Sequence, residues 1–350
     1  MIPLIAALVL AGPAMPYLGG DPSEIPEVEA TGGKFKVNGK AVDPIEAMKA
    51  AGWTAVRLRV WNQPKAGFCD KAHTLAMAKR IHRAGLKLMI DFHYSDDWAD
   101  PAKQYKPAAW EKLGFEDLKK AVHDYTFDVV KALVDQGTPP DVVQPGNEVT
   151  NGMLWPDARL NINTDGWDKF MALNRAAIKA IREASSKRQP KIMMHIDQGG
   201  RNVVSRYWFD MYFARGGEAD ILGLSYYPFW HGTLAELKAN LDDLARRYRR
   251  EVLIAETAYP YLGWNDVTKR YDPDAVPISK FKATPTGQRD YLRELLRVVR
   301  GTADGRGVGV LWWAPTWIGE PGRKGGWERY TLFENGSGEA LPGFFAFGGG

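Results

Sequence analysis

The sequence has a single cysteine, Cys69, among its 350 residues. One cysteine excludes an intramolecular disulfide and a metal site built from several thiolates. Its surroundings, KAGFCDKAH, lack the context of a known catalytic thiol, so a cysteine nucleophile is also disfavoured. The chain further lacks a low-complexity linker and a long run of like charge, which indicates one folded unit without a polar tail.

The chain also has little excess of charge of either sign, since its 46 Lys and Arg are nearly balanced by 42 Asp and Glu, which gives a net charge of +4. The densest basic run is RRYRR, Arg246 to Arg250, which we interpret as the solvated end of an amphipathic helix. We therefore expect no nucleic-acid partner. A metal site from His93, His195 and Asp197 is the competing interpretation of those side chains, but they offer no ligand pair at helical spacing, and we expect no metal and no cofactor.

Long apolar runs are confined to the start of the chain, MIPLIAALVLAGPAMP. This run is too short to span a bilayer as a mature helix, and the small residues of GPA resemble a cleavage site. We interpret residues 1–16 as a signal peptide or leader and residues 17–350 as the catalytic domain. A secreted or periplasmic location follows, with no membrane association once the leader is removed. A buried first strand is the alternative.

The remaining sequence repeats an apolar strand, a loop and an amphipathic helix with apolar residues at three- and four-residue spacing. The predicted strands are Tyr17–Asp21, Ala55–Trp61, Lys87–Phe92, Val142–Asn147, Lys191–Asp197, Ile221–Tyr226, Val252–Glu256 and Val308–Trp313. Eight such units predict a single α/β domain, a closed (β/α)8 TIM barrel. The alternative is an open doubly wound sheet, which would carry a glycine-rich phosphate loop after its first strand. The stretch at that place, YLGGDPSEIP, does not have the glycine spacing of such a loop.

Catalytic residues of such barrels lie at the C-terminal ends of the strands. Glu148 follows the fourth predicted strand and Glu256 ends the seventh, so both fall at one mouth. Two carboxylates there suit glycoside hydrolysis, one as acid and one as nucleophile. Tryptophans, whose rings can stack on sugars, cluster near the same strand ends at Trp61, Trp98, Trp155, Trp230, Trp313 and Trp317.

Each of these residues also has a purely structural interpretation. Asn147 could cap a helix, and Glu256 could form an ion pair with Arg57 or Arg59. His93, two residues after Asp91, is as compatible with the core as with a site. A tryptophan at a strand end commonly packs on the rim. The coincidence of acidic and aromatic residues at matching strand ends favours a sugar-cleaving site.

Long stretches of the sequence resemble glycoside hydrolase family 53, the endo-β-1,4-galactanases. The resemblance runs from Gly20 to about Phe347 and includes AVRLRVWNQP, LMIDFHYSDDWADPAKQ, GNEVTNGMLWP, LGLSYYPFWHGTL and IAETAYPY. It implies a retaining, endo-acting hydrolase that cleaves β-1,4-galactosidic bonds in galactan and type I arabinogalactan of pectin side chains. We expect this polysaccharide to be the partner of a monomeric enzyme.

The resemblance also implies roles for individual residues. Glu148 would be the general acid/base and Glu256 the nucleophile. Arg57 would lie beside the nucleophile and hold it ionised, while Tyr227 would hydrogen-bond to it. Asn147 would bind the sugar 2-hydroxyl in the covalent intermediate.

The resemblance implies four further roles, and the chain departs from the family pattern in WNQP, where an extra residue often follows the second strand's tryptophan, and at two later places. His93 would support the acid/base side, and Trp98, Asp197 and Trp313 would line the sugar subsites. The last strand usually ends in Trp–Glu–Pro, whereas this chain has Ala314 at the middle position. The loop IGEPGRKGGWERY is glycine-rich and basic, so the calcium ion that some relatives hold there is not expected.

Three other functions compete with this interpretation. Another retaining endo-glycanase of the same barrel clan, acting on mannan, xylan or glucan, would share both glutamates. A non-catalytic carbohydrate-binding barrel would not need them. An intracellular barrel enzyme for phosphorylated metabolites would need a glycine-rich phosphate site after the last two strands, and ETAYPYLGW does not resemble one.

Overall fold

The computed structural model describes residues 15–348, apart from 161–164, 266, 267, 269, 273, 275, 277, 278 and 320–326. Eight parallel strands, β1 to β8, close into a barrel in which each strand pairs with its neighbours in the sequence. Their bounds are Tyr17–Asp21, Ala55–Val60, Lys87–Phe92, Val142–Pro145, Lys191–Ile196, Ile221–Ser225, Glu251–Thr257 and Gly307–Trp313. Strand β1 pairs with both β2 and β8, which completes the cylinder. The predicted (β/α)8 barrel is confirmed, and the open-sheet alternative is wrong.

Helices α1 to α9 surround the barrel, with bounds Ile25–Ala30, Pro44–Ala50, Lys71–Arg83, Phe115–Asp135, Gly166–Ala184, Asn202–Ala214, Pro228–His231, Leu234–Tyr248 and Pro285–Arg300. Local sequence fixes several helix starts. Asp43 accepts hydrogen bonds from two backbone amides at the start of α2. Thr233 and Glu236 form a reciprocal capping box at the start of α8.

Short hairpins and 3₁₀ turns are also present among the described residues. The hairpins pair Lys36–Val37 with Lys40–Ala41, Gly152–Met153 with Ala158–Arg159, and Trp264–Asn265 with Arg270–Tyr271. The 3₁₀ turns are Ala108–Trp110, Val149–Asn151, Ala303–Gly305 and Pro342–Gly348. The second hairpin and the second turn follow β4 directly, so they shape the mouth of the barrel beside Glu148.

Strand β4 ends two residues earlier than predicted, at Pro145 instead of Asn147. Gly146 adopts a φ of +106°, a conformation that glycine takes readily, and its amide still donates to Phe92 O at 3.0 Å. The chain therefore leaves the sheet at Gly146. Asn147 and Glu148 sit on the loop above the strand, where their side chains face the mouth.

The barrel is filled by side chains, as in a packed core without a pore. The interior cluster is apolar and buried, and consists of Tyr17, Ala55, Met89, Val142, Met193, Ile221, Leu253, Ala255, Val308 and Leu311. A second, larger apolar cluster lies between the strands and the helices. The two clusters close the barrel below the mouth, so the room for a ligand is at the C-terminal ends of the strands.

The basic run at the end of α8 lies on the surface of the protein. Arg246 and Arg247 end α8 and are exposed, as expected for a solvated helix end, and Arg247 pairs with Asp210 at 2.8 Å. Among the described helices, none is long and apolar enough to cross a bilayer. Most of the predicted leader, residues 1–14, and the centre of the loop after β8, residues 320–326, lie outside the described residues.

Candidate active site

The inward face of the barrel changes from apolar to polar toward the strand ends. Side chains two positions apart point to the same side of a strand. On four strands an apolar interior residue is followed two positions later by a buried polar one: Ala55 by Arg57, Met89 by Asp91, Val142 by Gln144 and Met193 by His195. These polar side chains form the floor of the mouth, directly above the apolar interior.

Glu148 stands over this floor with its side chain largely buried. Its backbone has φ +45° and ψ +51°, a left-handed conformation that is strained for a residue with a Cβ. Strain of this kind is held in place by surrounding structure and is concentrated at functional sites. Ser225, at the end of β6, lies with its Oγ 2.6 Å from Glu148 Oε1.

Glu256, on β7, is held by two different partners. Arg57 Nη1 donates to its Oε1 at 3.0 Å, and the Tyr227 hydroxyl donates to its Oε2 at 3.0 Å. Both contacts are those that the family resemblance implies. Burial and Glu256 raise the pKa of the Tyr227 hydroxyl well above its ordinary value, so Tyr227 stays a donor.

Arg57 is fully buried and joins several carboxylates. Its guanidinium contacts Asp21 at 3.4 Å, Asp91 at 2.8 Å and Glu256 at 3.0 Å. Its Nη2 also donates to Asn147 Oδ1 at 2.8 Å. One cation shared among three carboxylates cannot neutralise each of them fully, which limits how strongly it favours the ionised form of any one.

The two glutamates consequently differ from their ordinary acidity. Burial, then the charges of Glu256 and Asp197, raises the pKa of Glu148 well above its usual value. Burial also raises the pKa of Glu256, to about 7, against the opposing effects of Arg57 and the Tyr227 hydroxyl. Arg57 acts in the expected direction, since it favours the ionised form of Glu256, but burial outweighs it and the pKa rises overall. The order is still the expected one, with Glu256 the first to ionise.

Asn147 and His93 take positions that the resemblance only partly anticipates. Asn147 uses its Oδ1 for Arg57 and its Nδ2 for Ala99 O at 2.8 Å, which fixes the amide at the cleft wall. His93 Nε2 lies 2.9 Å from Asp91 Oδ2, and its Nδ1 accepts from the Ala99 amide at 3.0 Å. These contacts place His93 beside the Arg57 network, whereas Glu148 is contacted by Ser225.

Above both glutamates lies a cleft of about 920 Å³. Its walls carry five tryptophans, Trp98, Trp230, Trp313, Trp317 and Trp327, together with the predicted residues His93, Asn147, Asp197 and Tyr227. Trp98 stacks on Trp317 with centroids 5.6 Å apart, and Trp230 packs against Tyr227 at 5.3 Å. The lining of the cleft thus contains two groups of packed aromatic rings, one with Trp98 and Trp317 and one with Tyr227 and Trp230.

All nine predicted site residues lie in this region, eight of them lining the cleft and Arg57 beneath it. Two of the six predicted tryptophans do not serve the cleft directly. Trp61 is buried behind Trp98 at 4.9 Å, and Trp155 packs under Arg159 at 4.1 Å. For these two, the rim-packing interpretation is correct.

Several residues that contact the site were given no catalytic or sugar-binding role from the sequence, although Asp91 and His195 were noted at strand ends: Asp91, Gln144, His195, Ser225, Arg201, His231 and Trp327. The first three carry a detectable signal, because each is a polar residue at an inward position where the strand pattern calls for an apolar one. Ser225 carries a weaker signal, since a small polar residue fits many positions. Trp327 lies in the loop after β8, which strand patterns do not describe.

The competing catalytic groups are placed unfavourably. Burial raises the pKa of the Cys69 thiol to about 11, so it stays protonated, and its Sγ lies 3.6 Å from Ser23 O. His195 faces Ser225 and Asn147, while His93 faces Asp91. Among the residues described, no three His, Cys, Asp or Glu side chains are grouped to hold a metal ion.

Comparisons with known proteins agree with this geometry. The family model described as glycosyl hydrolase family 53 matches residues 17–347. The chain is 42% identical over 345 residues to an uncharacterized protein of Niallia circulans, covering 95% of this chain and 93% of that protein. It is 34% identical over 345 residues to an arabinogalactan endo-β-1,4-galactanase of Thermothelomyces thermophilus, covering 95% and 99%.

A solved structure of a fungal β-1,4-galactanase superposes with a TM-score of 0.85 at 33% identity, covering 95% of this chain and 99% of that one. Similarity of sequence and of fold therefore extends over the whole barrel, including the mouth that holds Glu148 and Glu256. The family match, these relatives and the paired carboxylates lead to one conclusion: the chain belongs to glycosyl hydrolase family 53 and is a glycoside hydrolase.

Proposed function

We propose that this enzyme is an endo-acting, retaining hydrolase of β-1,4-galactosidic bonds in galactan and type I arabinogalactan, the side chains of pectin. The observation that carries the proposal is the pair Glu148 and Glu256, buried at one mouth and facing one aromatic cleft, with different partners and different acidity. The names of the relatives support galactan as the substrate.

In the first step, Glu256 attacks the anomeric carbon and the glycosidic C–O bond breaks. Glu148 gives its proton to the departing oxygen, which leaves as an alcohol. The raised pKa of Glu148 supports this role, because a neutral carboxylic acid must be present when substrate binds. Arg57 and Tyr227 orient Glu256 and stabilise its ionised form.

In the second step, Glu148, now ionised, removes a proton from water, and the water oxygen attacks the anomeric carbon. The bond to Glu256 breaks and the sugar is released with its original β configuration. The Asn147 amide, fixed by Arg57 and Ala99 O, sits at the wall where it can meet a sugar hydroxyl near the reacting carbon.

The aromatic walls supply the binding of a chain. Trp98, Trp313 and Trp317 form one wall and Tyr227, Trp230 and Trp327 the other. Indole faces can cover the apolar C–H faces of successive sugars while Asp197 and Lys103 meet hydroxyls. Two groups of aromatic platforms in the same cleft as the carboxylates support binding of several sugars and cleavage within a polysaccharide.

A substrate panel tests this proposal. The enzyme should release short galacto-oligosaccharides from linear β-1,4-galactan at least about 100-fold faster than it releases sugars from mannan, xylan or β-glucan, a gap of the size that a site built for substrate hydroxyls can produce. Chromatography of early products measures both the rate and the chain length. Comparable release from mannan, xylan or glucan would favour a different endo-glycanase, and release of only single galactose units would exclude the endo mode.

We also propose that residues 1–16 direct export to the periplasm or the medium, and that the mature enzyme is a monomer. The apolar stretch with its small-residue cleavage site supports export. Amino-terminal sequencing of the exported protein, with its mass in solution, tests both statements. An intact leader on intracellular protein, or a dimeric mass, would refute the corresponding one.

A further inference from the structure

Two buried side chains beside the acid/base residue have no part in the reaction as described so far. His195, on β5, and Ser225, on β6, form a chain of contacts that runs from Glu148 to Asn147. The distances are 2.6 Å from Glu148 Oε1 to Ser225 Oγ, 2.9 Å from Ser225 Oγ to His195 Nε2, and 2.9 Å from His195 Nδ1 to Asn147 Oδ1.

The Asn147 end of this chain has a fixed direction. Its Nδ2 donates to Ala99 O and its Oδ1 accepts from Arg57, both at 2.8 Å, so the amide cannot turn over. An oxygen 2.9 Å from His195 Nδ1 requires that this nitrogen carry the proton and donate it. Arg57, which is always charged, thereby sets the tautomer of His195 through Asn147.

Two weaker contacts at Nδ1 do not change this assignment. Gln144 Nε2 lies 3.2 Å from Nδ1, but its two protons have closer acceptors in Asp91 Oδ1 at 2.6 Å and Gly146 O at 3.0 Å. The Glu148 backbone N–H points at Nδ1 from 3.4 Å and would donate to it in the opposite tautomer, but this contact is the longest at that nitrogen and is longer than the one to Asn147 Oδ1. The Nδ1–H tautomer therefore satisfies the shortest contact at Nδ1.

The rest of the chain follows from the count of protons. With Nδ1 protonated and the ring neutral, Nε2 of His195 is an acceptor, and Ser225 is the group that reaches it. Ser225 has one hydroxyl proton, so once that proton goes to His195, its oxygen can only accept from Glu148. We propose that His195 and Ser225 are positioning residues that hold the proton of Glu148 on Oε1 before substrate arrives.

The charges around these groups are compatible with that arrangement. The ionisable groups that act on Glu148 are Glu256, Asp197 and Asp100, and those that act on His195 are Arg57, Asp91 and His93. Tyr227 interacts with both glutamates, and His231 with Asp197. Burial and then Arg57 lower the pKa of His195 well below its ordinary value, so the ring stays neutral and keeps an acceptor nitrogen.

Hydrogen bonds that ran in the opposite direction would have the opposite effect on the pKa of Glu148. If Ser225 donated to Glu148, it would stabilise the carboxylate and lower the pKa of Glu148. In the proposed direction it accepts from the neutral acid and stabilises that form. The sign of the change when Ser225 is removed therefore distinguishes the two arrangements.

The test is the pH dependence of kcat/KM on β-1,4-galactan, which reports the free enzyme. Its alkaline limb marks the loss of the proton from Glu148. In Ser225→Ala this limb should move to lower pH by about one pH unit, the size of one lost hydrogen bond. An unchanged limb, or a limb at higher pH, would overturn the proposal.

Two further variants sharpen the result. Ser205→Ala is the control, because Ser205 is a buried serine outside the cleft whose hydroxyl donates to Gln198 O at 2.9 Å. The alkaline limb of this variant should stay at the pH of the parent enzyme. His195→Leu should move the limb in the same direction as Ser225→Ala. The variant that carries both substitutions should then have its alkaline limb at the same pH as Ser225→Ala, because His195 acts through Ser225. Additive displacement would show that His195 acts by another route and would contradict the chain.

The inference rests on the proposed role of Glu148, which is tested separately. An aryl β-galactoside with a good leaving group needs little protonation, so Glu148→Ala should spare its cleavage relative to galactan. Equal loss on both substrates would remove the acid role of Glu148. If the alkaline limb of Ser225→Ala moved to higher pH while Glu148→Ala behaved as stated, the hydrogen-bond chain would be refuted and the acid role of Glu148 would stand.

Discussion

The two sides of the catalytic mouth use the same kind of residue in different surroundings. Glu148 and Glu256 are both buried carboxyls at strand ends. Glu256 is joined to a cation and a phenol, Arg57 and Tyr227, whereas Glu148 is joined to the neutral Ser225 and stands near other acids. Burial alone would give both an elevated pKa, and the partners then separate them. This difference of partners, on equal burial, supports the proposed roles of Glu148 as acid and Glu256 as nucleophile.

Removal of the proposed nucleophile should have the largest effect. Glu256→Ala is expected to lose about 10⁵-fold in kcat on galactan, since the covalent intermediate can no longer form. Glu251→Ala is the matched control, because Glu251 lies at the other end of the same strand in an ion pair with Lys191 at 2.6 Å. That variant should stay within about threefold of the parent, as exposed pairs contribute little. Similar losses in both would locate the effect in the strand as a whole.

Removal of the proposed acid should have a smaller and substrate-dependent effect. Glu148→Ala is expected to lose about 10³-fold on galactan, the size of a general-acid contribution. Added azide should restore turnover and give a β-configured galactosyl azide, since azide attacks the intermediate from the face that Glu148 serves. Rescue kinetics and NMR of the azide measure this. An α-configured azide would exchange the assigned roles.

The acid limb of the pH profile should respond to Tyr227. Glu256 must be ionised to attack, and its pKa of about 7 sets the acid limb of kcat/KM. Tyr227→Phe removes a donor to the ionised form, so the pKa should rise and the limb should move to higher pH by about one pH unit. Tyr226→Phe is the control, because its hydroxyl donates to Gly232 O. A limb that moves down in Tyr227→Phe contradicts the comparison between the two sides.

The smallest effect is expected at the rim. Trp230 is 57% exposed and packs on Tyr227 at one wall of the cleft. Trp230→Ala should raise KM for long galactan chains by about two- to tenfold, which corresponds to one aromatic contact, and leave kcat nearly unchanged. Initial rates on long and short substrates measure it. A fall in kcat with constant KM would place Trp230 in the reaction instead of in binding.

The barrel and the two glutamates could be predicted because both depend on patterns within the chain. Continuous apolar strands identify the fold, and the position of Glu148 and Glu256 after such strands identifies the mouth. The partners could not be predicted in the same way. Ser225 reaches Glu148 across 77 residues of sequence and Arg57 reaches Glu256 across 199, so these contacts depend on the register between strands.

The acidity of Glu256 shows the same limit. From the sequence, a neighbouring arginine predicts only that the ionised form of Glu256 is favoured. In the fold that arginine is shared with Asp21 and Asp91 and the whole group is buried, so the pKa of Glu256 rises instead. The number of carboxylates that contact one arginine is known only from the folded structure. A polar residue at an inward strand position, such as Asp91, is the one sequence signal that such a network exists.

The configuration of the first product tests the central claim most directly. Proton NMR of galactan hydrolysis, recorded before the anomers equilibrate, separates the α and β reducing ends. Two glutamates acting by double displacement predict that the β anomer appears first and the α anomer only later by mutarotation. Initial release of the α anomer would mean single displacement by water and would contradict the account.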